Sequence, residues 1–130
     1  MRLLVDTHVW LWMLAAPGRL NDATLAAISN PENEAVISVA SAWEVAIKHA
    51  LGKLPLSSTP SQLVDVSVRE LRVTVLPIAL DHALAAASLP SHHKDPFDRI
   101  LIAQAQLGGL TLVTADEAIR KYGGAIMWAV

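Results

Sequence analysis

Four short apolar segments of this chain each carry an acidic residue near an edge, and that pairing limits what the chain can fold into. Asp6 ends Leu3-Leu4-Val5, and Glu44 follows Val36-Ile37-Ser38-Val39. Asp98 opens Asp98-Arg99-Ile100-Leu101-Ile102-Ala103, and Asp116 follows Leu110-Thr111-Leu112-Val113. Short runs of β-branched and leucine residues read as strands buried on both faces. Longer segments with helix start and stop signals lie between them. Strand–helix alternation of this kind predicts an α/β fold, with helices on both faces of a central parallel sheet.

The segments follow from their punctuation. Arg2 to Val5 is the first strand. His8 to Ala16 reads as a helix stopped by Pro17-Gly18, and Asn21-Asp22 caps a second helix through about Ser29. Ala35 to Val39 is the second strand. Ser41 starts a helix through about Leu51, closed by Gly52. Thr59-Pro60 pairs an N-cap with proline at the first helical position and opens a helix to about Leu71. Val73 to Leu76 is a strand and Asp81 to Ser88 a helix. Asp95-Pro96 opens a helix to Leu107, ended by Gly108-Gly109. Leu110 to Val113, Glu117 to Lys121 and Ala125 to Trp128 follow as strand, short helix and strand.

The 130 residues suit a single domain over 1–130 with one core. At 53% hydrophobic and 17% charged, the chain is too apolar for disorder. No apolar run is long enough to span a bilayer, and the start lacks the parts of a signal peptide. A cytoplasmic protein with no membrane contact is expected. The absence of cysteine excludes disulfides and thiolate metal sites. With a net charge of -2, any nucleic-acid contact must come from a local patch. The high apolar content favours a partner chain or an oligomer.

In parallel sheets, ligands bind beyond the carboxyl ends of the strands. Asp6 and Asp116 belong at such ends, and Glu44 lies one helical turn beyond another. Asp98 joins them if its helix runs back along the sheet. Each acid alone has an ordinary explanation. Asp6 would cap a helix, and Ser41-x-x-Glu44 and Thr114-x-x-Glu117 fit the capping box. Asp95 would cap the helix whose first turn holds Asp98. None of these explains four acids near one sheet edge. Carboxylates gathered closely need a cation to stay ionised. All-oxygen ligation suits Mg²⁺ or Mn²⁺ and not zinc. Such a site would orient and deprotonate a water for in-line attack on phosphorus and stabilise the leaving oxygen.

Five segments carry a resemblance to a known family. They are Leu4-Val5-Asp6-Thr7-His8, Ser41-Ala42-Trp43-Glu44-Val45-Ala46-Ile47-Lys48, Gly52-Lys53-Leu54, His93-Lys94-Asp95-Pro96-Phe97-Asp98-Arg99 with Ile102-Ala103-Gln104-Ala105, and Leu112-Val113-Thr114-Ala115-Asp116. In this order and at these spacings the chain resembles PIN-domain ribonucleases of the VapC toxin type, from its first strand to its last. The resemblance implies a three-layer α/β/α sandwich with a central parallel sheet. It implies endonucleolytic cleavage of RNA that depends on Mg²⁺ or Mn²⁺. The family's catalytic, metal-binding acids fall on Asp6, Glu44, Asp98 and Asp116. Asp98 is preferred to Asp95, one turn earlier, because it directly precedes the Ile-Ala-x-Ala stretch. Thr114 would support the site through its hydroxyl. Many members read Asp-Thr-Ser or Asp-Thr-Asn where this chain has Asp-Thr-His. His8 matches a subgroup that also carries Asp-Pro-Phe-Asp-Arg, and it either faces the pocket or packs. Toxins of this type are similar in being held inactive by a cognate antitoxin, and they commonly form homodimers.

Trp10 and Trp12 point to different faces of the first helix, so one of them is a candidate partner interface. Trp43 reads as core. His92-His93-Lys94 and Arg99 flank the third acid, either as a solvated loop or as a phosphate-steering patch. Arg99 could equally pair with Asp95 at the i, i+4 spacing, and Lys48 is placed to pair with Glu44 in the same way. His49 and His82 read as surface or packed residues. No stacking platform for RNA bases is evident. The expectation is a metal-dependent endoribonuclease toxin. The alternative is a non-catalytic PIN domain that binds RNA or protein, but such domains usually lack one or more of the acids. An aspartate phosphotransferase would need a second Asp two residues after Asp6, where this chain has His8.

Overall fold

Leu3, Leu4 and Val5 are all fully buried, which requires strands on both sides and layers on both faces. The computed structural model, which describes residues 1–130, supplies both. The elements are β1 (Arg2–Val5), α1 (Thr7–Ala15), α2 (Asp22–Ser29), β2 (Glu34–Ser38), α3 (Val39–Ala50), α4 (Pro60–Glu70), β3 (Thr74–Leu76), α5 (Leu80–Ser88), α6 (Pro96–Gly108), β4 (Thr111–Thr114), α7 (Glu117–Arg120) and β5 (Ile126–Trp128). The five strands form one sheet in the order β3-β2-β1-β4-β5, and every pairing is parallel. The predicted α/β/α sandwich is therefore the observed one. A short 3₁₀ turn at Pro17–Arg19, not foreseen from the sequence, links α1 to α2.

Alternate residues of β1 feed opposite layers. Leu3 and Val5 pack with Val9 and Trp10 of α1, Val45 of α3 and Ile37 and Val113 of the neighbouring strands. Leu63 and Val64 of α4 and Leu25 of α2 cover this cluster. Leu4 joins Val36, Leu112, Leu101 and Ile102 of α6 and Ile119 of α7 on the other face. The chain leaves β1 in one direction to reach β2 and β3, and in the other to reach β4 and β5. The switch point therefore lies between β1 and β4, where open sheets bind ligands. No helix is long and apolar enough to cross a membrane.

The element edges follow the caps. Thr59 and Gln62 form a reciprocal capping box at α4. Gly109, at φ 64°, closes α6 in the left-handed conformation that glycine tolerates best. α3 begins two residues earlier than expected. Ser38 ends β2 and caps α3 directly, accepting from the Ala40 amide at 3.0 Å. The β-branched Val39 reads as strand by propensity, yet it is the first helical residue.

That shift removes the Ser41–Glu44 capping box. Ser41 lies within the helix, where its hydroxyl accepts from Thr7 at 2.9 Å, and Glu44 falls in the second turn. The Thr114–Glu117 box is also absent, because Thr114 belongs to β4 and Asp116 is the cap of α7.

Trp10 is a core residue, which removes it as a candidate partner contact. It is fully buried, and its indole N–H donates to Ser67 Oγ of α4 at 2.9 Å. Trp10→Ala empties the largest fully buried site in the protein and orphans part of the Ser67 hydroxyl. It is expected to cost about 3–5 kcal/mol, read by urea unfolding.

Candidate active site

The register of the central strands sets up the site. Val5 pairs with Val113, so Asp6 and Thr114 emerge side by side from β1 and β4. Thr114 Oγ1 donates to Asp6 Oδ2 at 2.5 Å and accepts from the Asp116 amide at 3.0 Å. Asp6 Oδ1 caps α1 by accepting from the Val9 amide at 2.8 Å. Asp6 is almost fully buried. Burial pushes its carboxyl above the usual range. The bonds from Thr114 and Val9 and the charge of His8 oppose that rise, and the charge of Asp116 adds to it.

Glu44 approaches from α3 and is also buried. Its Oε2 accepts from Lys48 Nζ at 2.6 Å, one turn on, and this bond raises the lysine's affinity for its proton. Glu44 Oε1 is buried with no hydrogen-bond partner. An orphaned carboxylate oxygen is expensive to bury unless a cation or donor reaches it.

Asp98 lies in the first turn of α6, whose cap is Asp95. Asp95 Oδ1 accepts from the Phe97 amide at 2.8 Å and the Asp98 amide at 3.2 Å. Burial, the largest cause, with the charges of Asp95 and Glu44, pushes Asp98 up to about 7, against a smaller lowering by His93. The charge of Asp6 also reaches it. Asp116 caps α7 through Oδ1, accepting from the Ala118 amide at 2.8 Å.

His93 was read from the sequence as part of a solvated loop or a phosphate-steering patch, yet it ties the last two acids together. Its Nε2 lies 2.9 Å from Asp98 Oδ2 and 3.2 Å from Asp116 Oδ2. Its Nδ1 accepts from the Asp95 amide at 3.2 Å, which places the proton of the neutral ring on Nε2, facing both carboxylates. His93, Asp98 and Asp116 offer atoms within 4.8 Å of one another, close enough to share one metal ion once the ring proton leaves Nε2. The only sequence signal was its place beside the third acid.

Arg99 neither steers phosphate nor pairs with Asp95. Its guanidinium donates to the carbonyls of Ala86 (2.8 Å), Leu89 (2.8 Å), Pro90 (3.1 Å) and His93 (3.0 Å). The end of α5 and the turn after it leave carbonyls without helical partners, and a planar five-donor fork satisfies several at once. Arg99→Lys keeps the charge but not the fork. It is expected to lower stability by about 1.5–3 kcal/mol, seen as a reduced urea midpoint.

Trp43 is not core. Ala40, Ser41, Glu44 and Val45 form the inward face of α3, which leaves Trp43 on the outside. It is 54% exposed and meets Phe97 edge-on at 5.1 Å. Trp12 is half-buried and borders the site, as described below.

A parallel sheet with this switch point and this acid-lined edge defines an α/β/α protein of the PIN-domain class. The PIN domain family matches residues 3–125. Ribonuclease VapC22 of Mycobacterium tuberculosis is 32% identical over 124 residues, covering 92% of this chain and 91% of that protein. Ribonuclease VapC16 of the same organism is 38% identical over 63 residues, covering 48% of this chain and 43% of its own. Among solved structures, VapBC2 from Rickettsia felis bound to promoter DNA matches with TM-score 0.73 at 14% identity, covering 100% of both chains. A toxin–antitoxin complex from Klebsiella pneumoniae matches with TM-score 0.64 at 20% identity, covering 97% of this chain and 96% of that one. The chain belongs to the PIN-domain family, among its VapC-type members.

Proposed function

We propose that this chain is a metal-dependent endoribonuclease toxin, a single PIN domain over residues 1–130 that acts in the cytoplasm and is restrained by a cognate antitoxin. One observation carries the reading. Asp6, Glu44, Asp98 and Asp116 converge at one sheet edge, with the Asp6 and Asp98 carboxyls pushed up and a Glu44 oxygen left without a partner. The names of the VapC ribonucleases it resembles and its likeness to chains of toxin–antitoxin complexes support it.

The donors are carboxylate oxygens with one imidazole beside them, a set that fits Mg²⁺ or Mn²⁺. Asp98, Asp116, Asp6 and Glu44 would hold the ion. When bound, it supplies the positive charge that activates water toward phosphorus and stabilises the departing oxygen. Thr114 and the Val9 amide fix the Asp6 carboxylate before substrate arrives. Lys48 offsets part of the Glu44 charge. Asp95 acts as a helix cap whose charge deepens the field at Asp98. No side-chain nucleophile is required.

The substrate is RNA, and the working form is a homodimer. Leu80 and Leu84, one turn apart on α5, are 76% and 62% exposed, apolar surface of the kind a second chain covers. Light scattering on the purified protein reads the dimer.

The function is tested by expressing the chain with and without a co-encoded partner and mapping the RNA ends produced. New ends are expected only without the partner, and in vitro only with Mg²⁺ or Mn²⁺. Undiminished cleavage in excess EDTA would overturn the mechanism.

A further inference from the structure

The cavity beside Asp6 and Asp116 has a second wall that the cleavage chemistry does not use. It measures about 350 Å³ and is lined by Asp6, His8, Trp12, Ala115, Asp116 and Glu117. The His8 and Trp12 rings lie 6.2 Å apart, and the Arg19 guanidinium sits 5.2 Å from the Trp12 ring centroid. Arg19 does not line the cavity and enters none of the protein's ion pairs, so it braces the indole from outside. A braced aromatic loses little freedom when a ligand stacks on it.

We infer that this cavity takes the unpaired base of a nucleotide flanking the cut phosphodiester, with Trp12 as its stacking wall. The inference rests on the nuclease reading above. The lining combines carboxylates with the aromatic surfaces of His8 and Trp12. That combination matches the two halves of a nucleotide, its phosphate through the cation the acids would hold and its base through the rings. The volume lies at the small end of ligand pockets, a size that suits one nucleotide. Every base has a π-face, so Trp12 selects unpaired over paired RNA and does not read sequence.

The test uses an Asp98→Asn background, chosen to bind RNA without cutting it. Labelled single-stranded RNA of mixed sequence and its duplex are titrated against this background alone and with Trp12→Ala or Trp12→Phe. Trp12→Ala is expected to weaken single-strand binding about 5- to 150-fold, with Trp12→Phe within about threefold of the background. Duplex binding should be weak and indifferent to residue 12. A folded Trp12→Ala variant, checked by circular dichroism, that binds single strands as tightly as the background overturns the inference. So does a variant that keeps RNA affinity but loses its antitoxin, since Trp12 then belongs to the protein interface. If wild-type protein cuts RNA and binding ignores Trp12, only the base subsite falls. If wild-type protein with Mg²⁺ neither binds nor cuts RNA, the nuclease reading falls with it.

Discussion

Asp6→Asn is expected to lower Mg²⁺-dependent RNA cleavage by roughly 10²- to 10³-fold or more while leaving the protein folded. The substitution separates two roles of one side chain. As a helix cap, asparagine serves nearly as well as aspartate, so the bond from the Val9 amide survives. The bond from Thr114 changes sense, because the new amide nitrogen must donate to a hydroxyl that already accepts from Asp116. That costs on the order of 1 kcal/mol. Losing a buried carboxylate whose ionisation is opposed offsets the cost. What the variant cannot do is present negative charge to a cation. An urea midpoint near that of wild type together with lost cleavage is the expected pair of results. Full cleavage by the variant would sink the four-acid mechanism.

Without metal, the protein should be more stable near pH 5 than near pH 8. Asp98 binds its proton up to about 7 in the folded state, against 3.8 for the free side chain. Asp6 is shifted in the same direction. Folding therefore takes up protons between these limits, and stability falls as pH rises through them. The stabilisation is fully present below the unfolded pKa and gone above the folded one. A change of a few kcal/mol follows, equivalent to roughly 5–10 °C in Tm for a chain of this size. A divalent cation should reverse the trend. Added Mg²⁺ or Mn²⁺ should raise Tm more at pH 8 than at pH 5, where a proton on Asp98 competes with the ion. Thermal melts in EDTA and in metal at both pH values check both signs. A metal-free protein that gains stability with rising pH would mean that Asp98 and Asp6 are not held protonated by burial in the folded state.

Most of the fold was readable from sequence because its signals are local. Pro60 after Thr59, Pro96 after Asp95 and Gly109 after α6 mark helix ends by chain stereochemistry alone. The sheet order was not readable, because strand pairing is settled by contacts between distant segments. The acids were found as a set, but their partners depend on three-dimensional register. The spacing of Trp10 and Trp12 said that they face different ways, and only the docking of α1 says which way is inward. Trp43 misled because a large apolar ring is usually buried, while α3 gives its inward face to Ser41 and Glu44. Arg99 and His93 misled for a different reason. Their targets are loop carbonyls and carboxylates that share no sequence spacing with them.

The bond between Thr114 and Asp6 joins residues 108 apart in the chain. Asp6 leaves the ribosome 108 residues before Thr114 on its partner strand β4. At about 5–20 residues per second, several seconds separate the two events. During that interval β1 has one of its two sheet neighbours missing, and the acids stand apart. The acid cluster is therefore incomplete until β4 has been made and paired with β1. Loss of the β4 segment by premature termination or proteolysis would remove Thr114 and Asp116 and leave Asp6, Glu44 and Asp98 without the strand that fixes the first of them.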